Sequence, residues 1–246
     1  MEKKVIKVKE LVKTYKKKGG RVKAIDGVSF SIKRGEIFGF LGPNGAGKST
    51  TIKIMLDFIR PDRGKVFING LDSNRPESRK DVGFLSENPN FIDSLTGLEL
   101  LIFSAKMYGL ENEIALQYSE ELLEELDLVD VRDRNIKQYS KGMIQKLGLA
   151  LVLIHRPKIL ILDEPMSGLD PMGRYQFKRI FKRLKEQGNT IFFSSHIIPD
   201  VQDLCDRVVI INKGKIIREL DIKHLRGPFE GKDLEEIFVE TVNLDE

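Results

Sequence analysis

The sequence predicts an α/β protein. An N-terminal antiparallel β subdomain should lie beside a strand–loop–helix unit, and an α-helical subdomain should be inserted ahead of further buried strands. Three observations predict this. First, the apolar run Ile37, Phe38, Phe40 and Leu41 leads into the Gly-rich stretch Gly42-Pro43-Asn44-Gly45-Ala46-Gly47-Lys48-Ser49-Thr50, and Ile52, Ile54, Met55, Leu56 and Ile59 follow at helical spacing. Second, from Asn88 to Leu153 the apolar period turns helical. Third, Lys158 to Asp163 is a β-rich run bounded by Pro157 and Pro165, as a buried parallel strand would be.

The elements follow in order. Residues 4–12 alternate as a strand, Tyr15 ends that segment, and Lys16 to Arg21 reads as a hairpin turn. Ala24 to Ile32 resumes the strand pattern. The helix after Thr50 is stopped by Arg60-Pro61-Asp62-Arg63-Gly64, and Lys65 to Asn69 gives another short strand. Thr96 with Glu99 forms a capping box, and Gly109 closes that helix. Glu113 to Asp127 is an acidic amphipathic helix. Ser140 opens another helix, which Pro157 stops. Phe177, Ile180, Phe181 and Leu184 mark a helix ending near Gly188. Thr190 to Ser195 and Val208 to Ile211 read as strands, and Asp233 with Glu236 caps a short terminal helix. The stretch from Lys213 onward otherwise gives no sharp signal.

Composition narrows the class. The 246 residues can bury a good core as one large domain or two small lobes. Hydrophobic content of 41% and charged content of 32% suit a globular protein. The longest apolar run, Leu147 to Ile154, is far too short to span a bilayer, and the N-terminus lacks the apolar segment of a secretory signal. Action at a membrane would need another polypeptide to span it. The single cysteine, Cys205, excludes an internal disulfide and suggests a reducing, cytoplasmic setting, with Cys205 itself a small core residue. A net charge of +4 is too small to argue for nucleic acid. Basic residues concentrate between Lys3 and Lys23. They read either as solvated strand faces and a hairpin tip or as a surface for an anionic membrane or polyphosphate.

The Gly-rich stretch carries chemistry. Gly42, Gly45 and Gly47 let the backbone curl until successive N–H groups point inward as an anion cradle. The helix opening near Lys48 adds its positive end. Lys48 can reach terminal phosphates as a point charge, and the Ser49 hydroxyl suits Mg²⁺, which takes oxygen donors. The stretch therefore points to a nucleoside triphosphate. An acid is needed near such a metal, and Ile159 to Glu164 supplies it. Asp163 can orient Mg²⁺ and its waters, while Glu164 can polarise an attacking water.

In the order and spacing of five motifs the chain resembles the ATP-binding cassette (ABC) ATPase family along nearly its whole length. Gly42 to Thr50 resembles the family's Walker A and Ile159 to Glu164 its Walker B. Ser167-Gly168-Leu169-Asp170 resembles the D-loop, His196 the switch histidine, and Tyr139-Ser140-Lys141-Gly142-Met143 the signature. The resemblance implies a P-loop NTPase (RecA-like) core with an N-terminal antiparallel β subdomain and an inserted α-helical subdomain. This would be a single ABC ATPase domain over 1–246, with the core and β subdomain in 1–87 and 156–246 and the helical subdomain in 88–155. ATP and Mg²⁺ are the implied cofactors. ATP would be held by residues Gly42, Pro43, Asn44, Gly45, Ala46, Gly47, Lys48, Ser49 and Thr50. Ser140 and Gly142 would grip the γ-phosphate on the other subunit's loop, with Asp170 at the seam. Tyr15 resembles the aromatic on which adenine stacks; a half-buried strand-end tyrosine is the plainer reading. Glu164, His196 and Lys48 would be catalytic, and Ser49, Glu87 and Asp163 would serve the metal.

Two departures stand out. The family's signature usually has Gly-Gly-Gln after the serine, where this chain has Lys141, Gly142 and Met143. Its glutamine-loop position is Glu87, which can still contact Mg²⁺ or its water but brings charge. Both resemble stand-alone (ABC-2 type) exporter ATPases, whose membrane domain is a separate polypeptide. The implied partners are a polytopic membrane permease and a second copy of the chain or another ABC ATPase subunit. The implied place is the cytoplasmic face of the cell membrane, as a peripheral subunit. Phe91, Ile92 and Leu95 would line the permease groove beside Glu87 or pack inside the helical lobe. A soluble ABC ATPase acting on nucleic acid or ribosomes is the alternative. It usually carries two cassettes or a long coiled coil, and neither is present, so no nucleic acid is expected. A GTPase would want Asn-Lys-x-Asp, which Asn212-Lys213-Gly214-Lys215 fails at its last place.

Overall fold

The computed structural model of the chain describes residues 3–17, 20–222 and 233–243. Strands β1 (Lys4–Lys17) and β2 (Gly20–Lys33) pair antiparallel along their length; residues 18 and 19 of the expected turn lie outside the described residues. On β2 the period of two is plain, since Val28, Phe30 and Ile32 are buried while Ser29 and Ser31 are not. β1 runs past the expected end near Val12 and carries Tyr15 opposite Val22. Strands β4 (Arg63–Ile68) and β5 (Leu71–Asp72) complete a four-stranded sheet in the order β2-β1-β4-β5.

The second sheet has six strands. It contains β3 (Ile37–Leu41), β6 (Val82–Leu85), β7 (Ile159–Asp163), β8 (Thr190–Ser195), β9 (Arg207–Asn212) and β10 (Lys215–Asp221), in the order β10-β9-β3-β8-β7-β6. All neighbours are parallel except β10, which pairs antiparallel with β9 at the edge. β3, β7 and β8 are buried at every position, as strands covered on both faces must be. β6 and β10 were not expected from the sequence. β6 has only four residues and holds Gly83; β10 is a charged edge strand, a common way to discourage further pairing.

Helix α1 (Lys48–Met55) follows β3 and is shorter than the apolar spacing predicts. Asp57 adopts φ 59°, and a left-handed residue at that point ends a helix. Between β6 and β7 come α2 (Gly97–Met107), with its capping box at Thr96 and Glu99, then α3 (Asn112–Glu125) and α4 (Lys141–Leu153). Pro171 begins α5 (Pro171–Glu186), whose N-cap is Asp170. The seven-residue α6 (Ile198–Leu204) was also unanticipated. α7 (Leu234–Asn243) carries the expected Asp233–Glu236 cap, with the Glu236 N–H donating to Asp233 Oδ1 at 2.9 Å.

The six-stranded sheet is covered on both faces. One face meets the antiparallel sheet and α1 through Ile6, Val8, Phe30, Phe38, Phe40, Ile52 and Phe192. The Phe192 ring lies 5.6–6.1 Å, centroid to centroid, from those of Phe30, Phe38 and Phe40. The other face meets α4, α5 and α6 through Leu147, Leu149, Phe177, Phe181 and Val201. Cys205 is buried as expected, and burial pushes its thiol well above its ordinary pKa. No helix among the described residues is long and apolar enough to cross a membrane. Replacing Phe192 by alanine should cost about 3–5 kcal/mol by deleting a fully buried ring. Denaturant unfolding followed by far-UV circular dichroism measures it, and a loss below about 1 kcal/mol would show that the ring cluster is not a keystone of the core.

Candidate functional site

Parallel register decides where the site lies. Leu41 at the end of β3 pairs with Ser195 of β8, and Asp163 at the end of β7 pairs with Ser194. Three neighbouring strands thus finish together, and the chain leaves each into a loop on the same edge. Ligands of open α/β sheets settle at such carboxyl ends. The loop after β3 carries Gly42 to Gly47, the one after β7 carries Glu164, and the one after β8 carries His196.

The loop needs its glycines. Gly47 has φ 110°, and a Cβ there would stand 2.6 Å from the Ala24 carbonyl oxygen; one at Gly42 would stand 2.3 Å from that of Ile211. With the backbone drawn in this far, Lys48 begins α1 and turns its ammonium into the loop. Nζ donates to the carbonyls of Gly42 at 2.7 Å and Pro43 at 3.2 Å, and lies 3.1 Å from Glu164 Oε1. Lys48 and Glu164 are both buried. Glu164 Oε2 is 2.9 Å from His196 Nδ1. Oε1 is close to the ammonium yet receives no hydrogen bond, so one acceptor stays open in a buried site. Glu164 also holds φ 47°, a costly backbone for a non-glycine residue, of the kind concentrated at functional sites.

A cavity of about 300 Å³ opens over this group. Asn44, Gly45 and Gly47 to Thr50 form one side, Glu87 and Glu164 the other, and Ala24 the rim. A larger cleft of about 1230 Å³ lies at the opposite ends of the strands, beside Lys158, Ile159 and Thr190. It has none of this chemistry, so the smaller cavity is the candidate site. Asp163 is buried beneath it, and its Oδ1 accepts a 2.6 Å hydrogen bond from Ser194 Oγ. The oxygen set of Ser49, Glu87 and Asp163 is hard, as Mg²⁺ requires. Among the described residues no three acidic, histidine or cysteine side chains converge as a metal cage. Ser49 and Glu87 line the cavity and Asp163 does not; all three carry the oxygen donors that Mg²⁺ takes.

Other expected site residues lie apart from this cavity. Tyr15 is exposed on β1, with Lys13 Nζ 5.8 Å from its ring centroid, and does not line the cavity. Ser140, Gly142 and Asp170 form a second group. Ser140 caps α4 by accepting the Met143 N–H at 3.2 Å, and Asp170 caps α5 by accepting the Gly173 N–H at 2.7 Å. The two caps adjoin, since a Cβ on Gly142 would lie 3.6 Å from the Gly168 carbonyl oxygen. Buried Gln145 ties this group to the acidic loop by donating to the Pro165 carbonyl at 2.9 Å. Sequence reasoning missed Ala24 and Ser194. Ala24 carries no chemical signal. Ser194 had one, as a hydroxyl closing the otherwise apolar run Ile191-Phe192-Phe193.

Comparison with known proteins agrees with this geometry. The family described as ABC transporter matches residues 25–167. An uncharacterized ABC transporter ATP-binding protein of Nostoc is 41% identical over 84% of the chain, which spans 62% of that relative's length. The bacitracin transport ATP-binding protein BcrA of Bacillus licheniformis is 40% identical over 90% of the chain, which spans 71% of its length. Among solved structures, an ATP-binding subunit of an ABC transporter superposes with a TM-score of 0.85 at 32% identity, covering 96% of this chain and 99% of that one. A dimeric cassette, MJ0796, in a post-hydrolysis state bound to ADP and phosphate superposes with a TM-score of 0.81 at 26% identity, covering 88% and 98%.

Proposed function

The chain belongs to the ABC transporter ATP-binding family, and from that premise we propose that it binds ATP with Mg²⁺ and hydrolyses it to drive export through a separate polytopic membrane subunit. The observation that carries the ATPase reading is the meeting of Lys48 and Glu164 in one glycine-lined cavity, with His196 behind Glu164 at 2.9 Å. Phosphate oxygens would take over the Lys48 ammonium from the Gly42 and Pro43 carbonyls. Glu164 would then be free to accept a proton-bearing water through its open oxygen, with His196 fixing its other oxygen. Bound Mg²⁺ supplies neutralising charge at the β- and γ-phosphates. Ser49, Asp163 and Glu87 would hold it, directly or through water.

Ser140, Gly142 and Asp170 gain a role if a second subunit faces the cavity. Ser140 and Asp170 are exposed, stand at the starts of α4 and α5, and line no part of their own chain's cavity. Helix N-termini attract anions, and the dimeric form of MJ0796 supports such pairing. The partner could be a second copy or another ABC ATPase subunit. For the membrane subunit, the helical segment exposes the apolar side chains Ile92, Phe103 and Met107, with Met107 73% exposed. Phe91 and Leu95 instead pack against the core. The name of BcrA supports a transport role, and the site of action would be the cytoplasmic face of the cell membrane.

Glu164→Gln should keep ATP binding and slow turnover by about 10²–10⁴-fold, the usual worth of a general base, with an ATP-bound dimer accumulating on size exclusion. Hydrolysis at the parent rate would remove Glu164 from its role. Ser140→Arg should leave ATP affinity of the monomer within about twofold while abolishing both dimer and hydrolysis; a dimer that still forms would refute the second-subunit role of the α4 N-terminus. Purification from membranes tests the transport reading. Recovery of a polytopic protein in stoichiometric amount is expected, and recovery bound to ribosomes or nucleic acid would replace this reading.

A further inference from the structure

We propose that Ser194 is a positioning residue for both acidic groups of the site, setting Asp163 toward the metal and Glu164 toward the water. The proposal rests on the ATPase reading above and extends it to a residue outside the cavity lining.

The geometry is specific. Ser194 is the penultimate residue of β8, the central strand flanked by β3 and β7, and pairs with Phe40 on one side and Asp163 on the other. It is fully buried. A hydroxyl in such a place is costly unless its hydrogen bonds are made. Here both are: Oγ donates to Asp163 Oδ1 at 2.6 Å and accepts the Glu164 backbone N–H at 3.0 Å. One side chain thus joins two consecutive residues with different tasks.

Each bond has a consequence. Asp163 has a single protein partner among the described residues, the Ser194 hydroxyl on Oδ1. With Oδ1 held, the carboxylate cannot spin, and Oδ2 is left for a metal or its water. Partners that orient ligating carboxylates in this way are worth about 10–100-fold in metal affinity or activity. The Glu164 bond acts on the backbone. β7 ends at Asp163, so the sheet ladder does not hold the next amide, and Glu164 turns sharply away at φ 47°. The Ser194 acceptor fixes that amide and with it the strained turn that aims the side chain at Lys48 and His196.

The test compares Ser194→Ala and Ser194→Thr with the unsubstituted chain. Binding of a fluorescent ATP analogue is titrated in Mg²⁺ and in EDTA, and ATP turnover is measured in parallel, with melting temperature as a control on folding. Ser194→Ala should bind nucleotide normally in EDTA but lose the extra affinity Mg²⁺ confers, by about five-fold or more, and lose turnover by about 10–100-fold. KM should change less than kcat. Ser194→Thr, which keeps the hydroxyl, should recover most of both. A purely structural serine would lower the melting temperature yet leave the Mg²⁺ effect and the turnover of the folded protein within twofold, and that result overturns the proposal. Equal impairment of the threonine variant overturns it too, because the hydroxyl would not be the active feature. If the unsubstituted chain binds no ATP, the ATPase reading itself falls and the role of Ser194 with it; failure confined to the variant comparison removes Ser194 alone.

Discussion

A buried ammonium group governs the site. Lys48 can be withdrawn from water only because it is compensated, and charges left without partners in a protein interior cost several kcal/mol each. Two loop carbonyls and one carboxylate provide that compensation here. The loop must be glycine-rich so that its carbonyls can close on Nζ, and Glu164 must turn back from its strand so that its carboxylate can reach. Glu164 Oε1 faces the ammonium as its counter-charge at 3.1 Å without accepting a hydrogen bond. His196 Nδ1 lies 2.9 Å from the other oxygen, which restrains the carboxylate.

The rest of the fold serves this placement. Three parallel strands must end level for their loops to meet, and the register of β3, β8 and β7 ensures it. Covering the sheet on both faces holds that register, since slipping a strand by one residue would exchange the side chains packed against the two different layers. The phenylalanine cluster on one face and the Phe177 and Phe181 layer on the other supply that cover. The helical segment meets the site loops through the packing of Lys141 and Gly142 on Gly168 and through a buried hydrogen bond from Gln145 to Pro165. That bond links α4 to the residue just after Glu164.

Much of this was legible from the chain. Strand–loop–helix at Ile37 to Ile59, the acidic strand end at Asp163-Glu164 and the caps at Thr96, Ser140 and Asp233 all follow local rules of period and end chemistry, and the structure contains them. What escaped was set by neighbours. β6 is four residues with a glycine and becomes a strand because β7 offers it a ladder. β10 reads as polar because it is an edge. The division of the site residues into a Lys48–Glu164 group and a Ser140–Asp170 group was expected through the family resemblance alone, since the order of motifs along the chain does not convey it. Ser194 escaped for the same reason: a serine near a strand end gains meaning only when Asp163 and Glu164 are seen beside it.

The departures at the signature can be judged on the same terms. Two positions where the family usually has Gly and Gln hold Lys141 and Met143. At Met143 the backbone makes the capping bond, since its N–H donates to the Ser140 hydroxyl that caps α4, and any non-proline residue could supply that N–H. Lys141 is bulkier, and the structure shows how it is accommodated. Its side chain lies across Gly168, so close that a Cβ there would stand 2.8 Å from Lys141 Cδ. Gly168 also has φ 78°, which further favours glycine. The lysine stem thus rests on a surface left bare by the neighbouring loop, while its positive charge sits at the end of α4 that already favours anions. A substitution that looks damaging in the motif therefore adds to its electrostatic character, and its steric demand is met by Gly168 rather than by the helix.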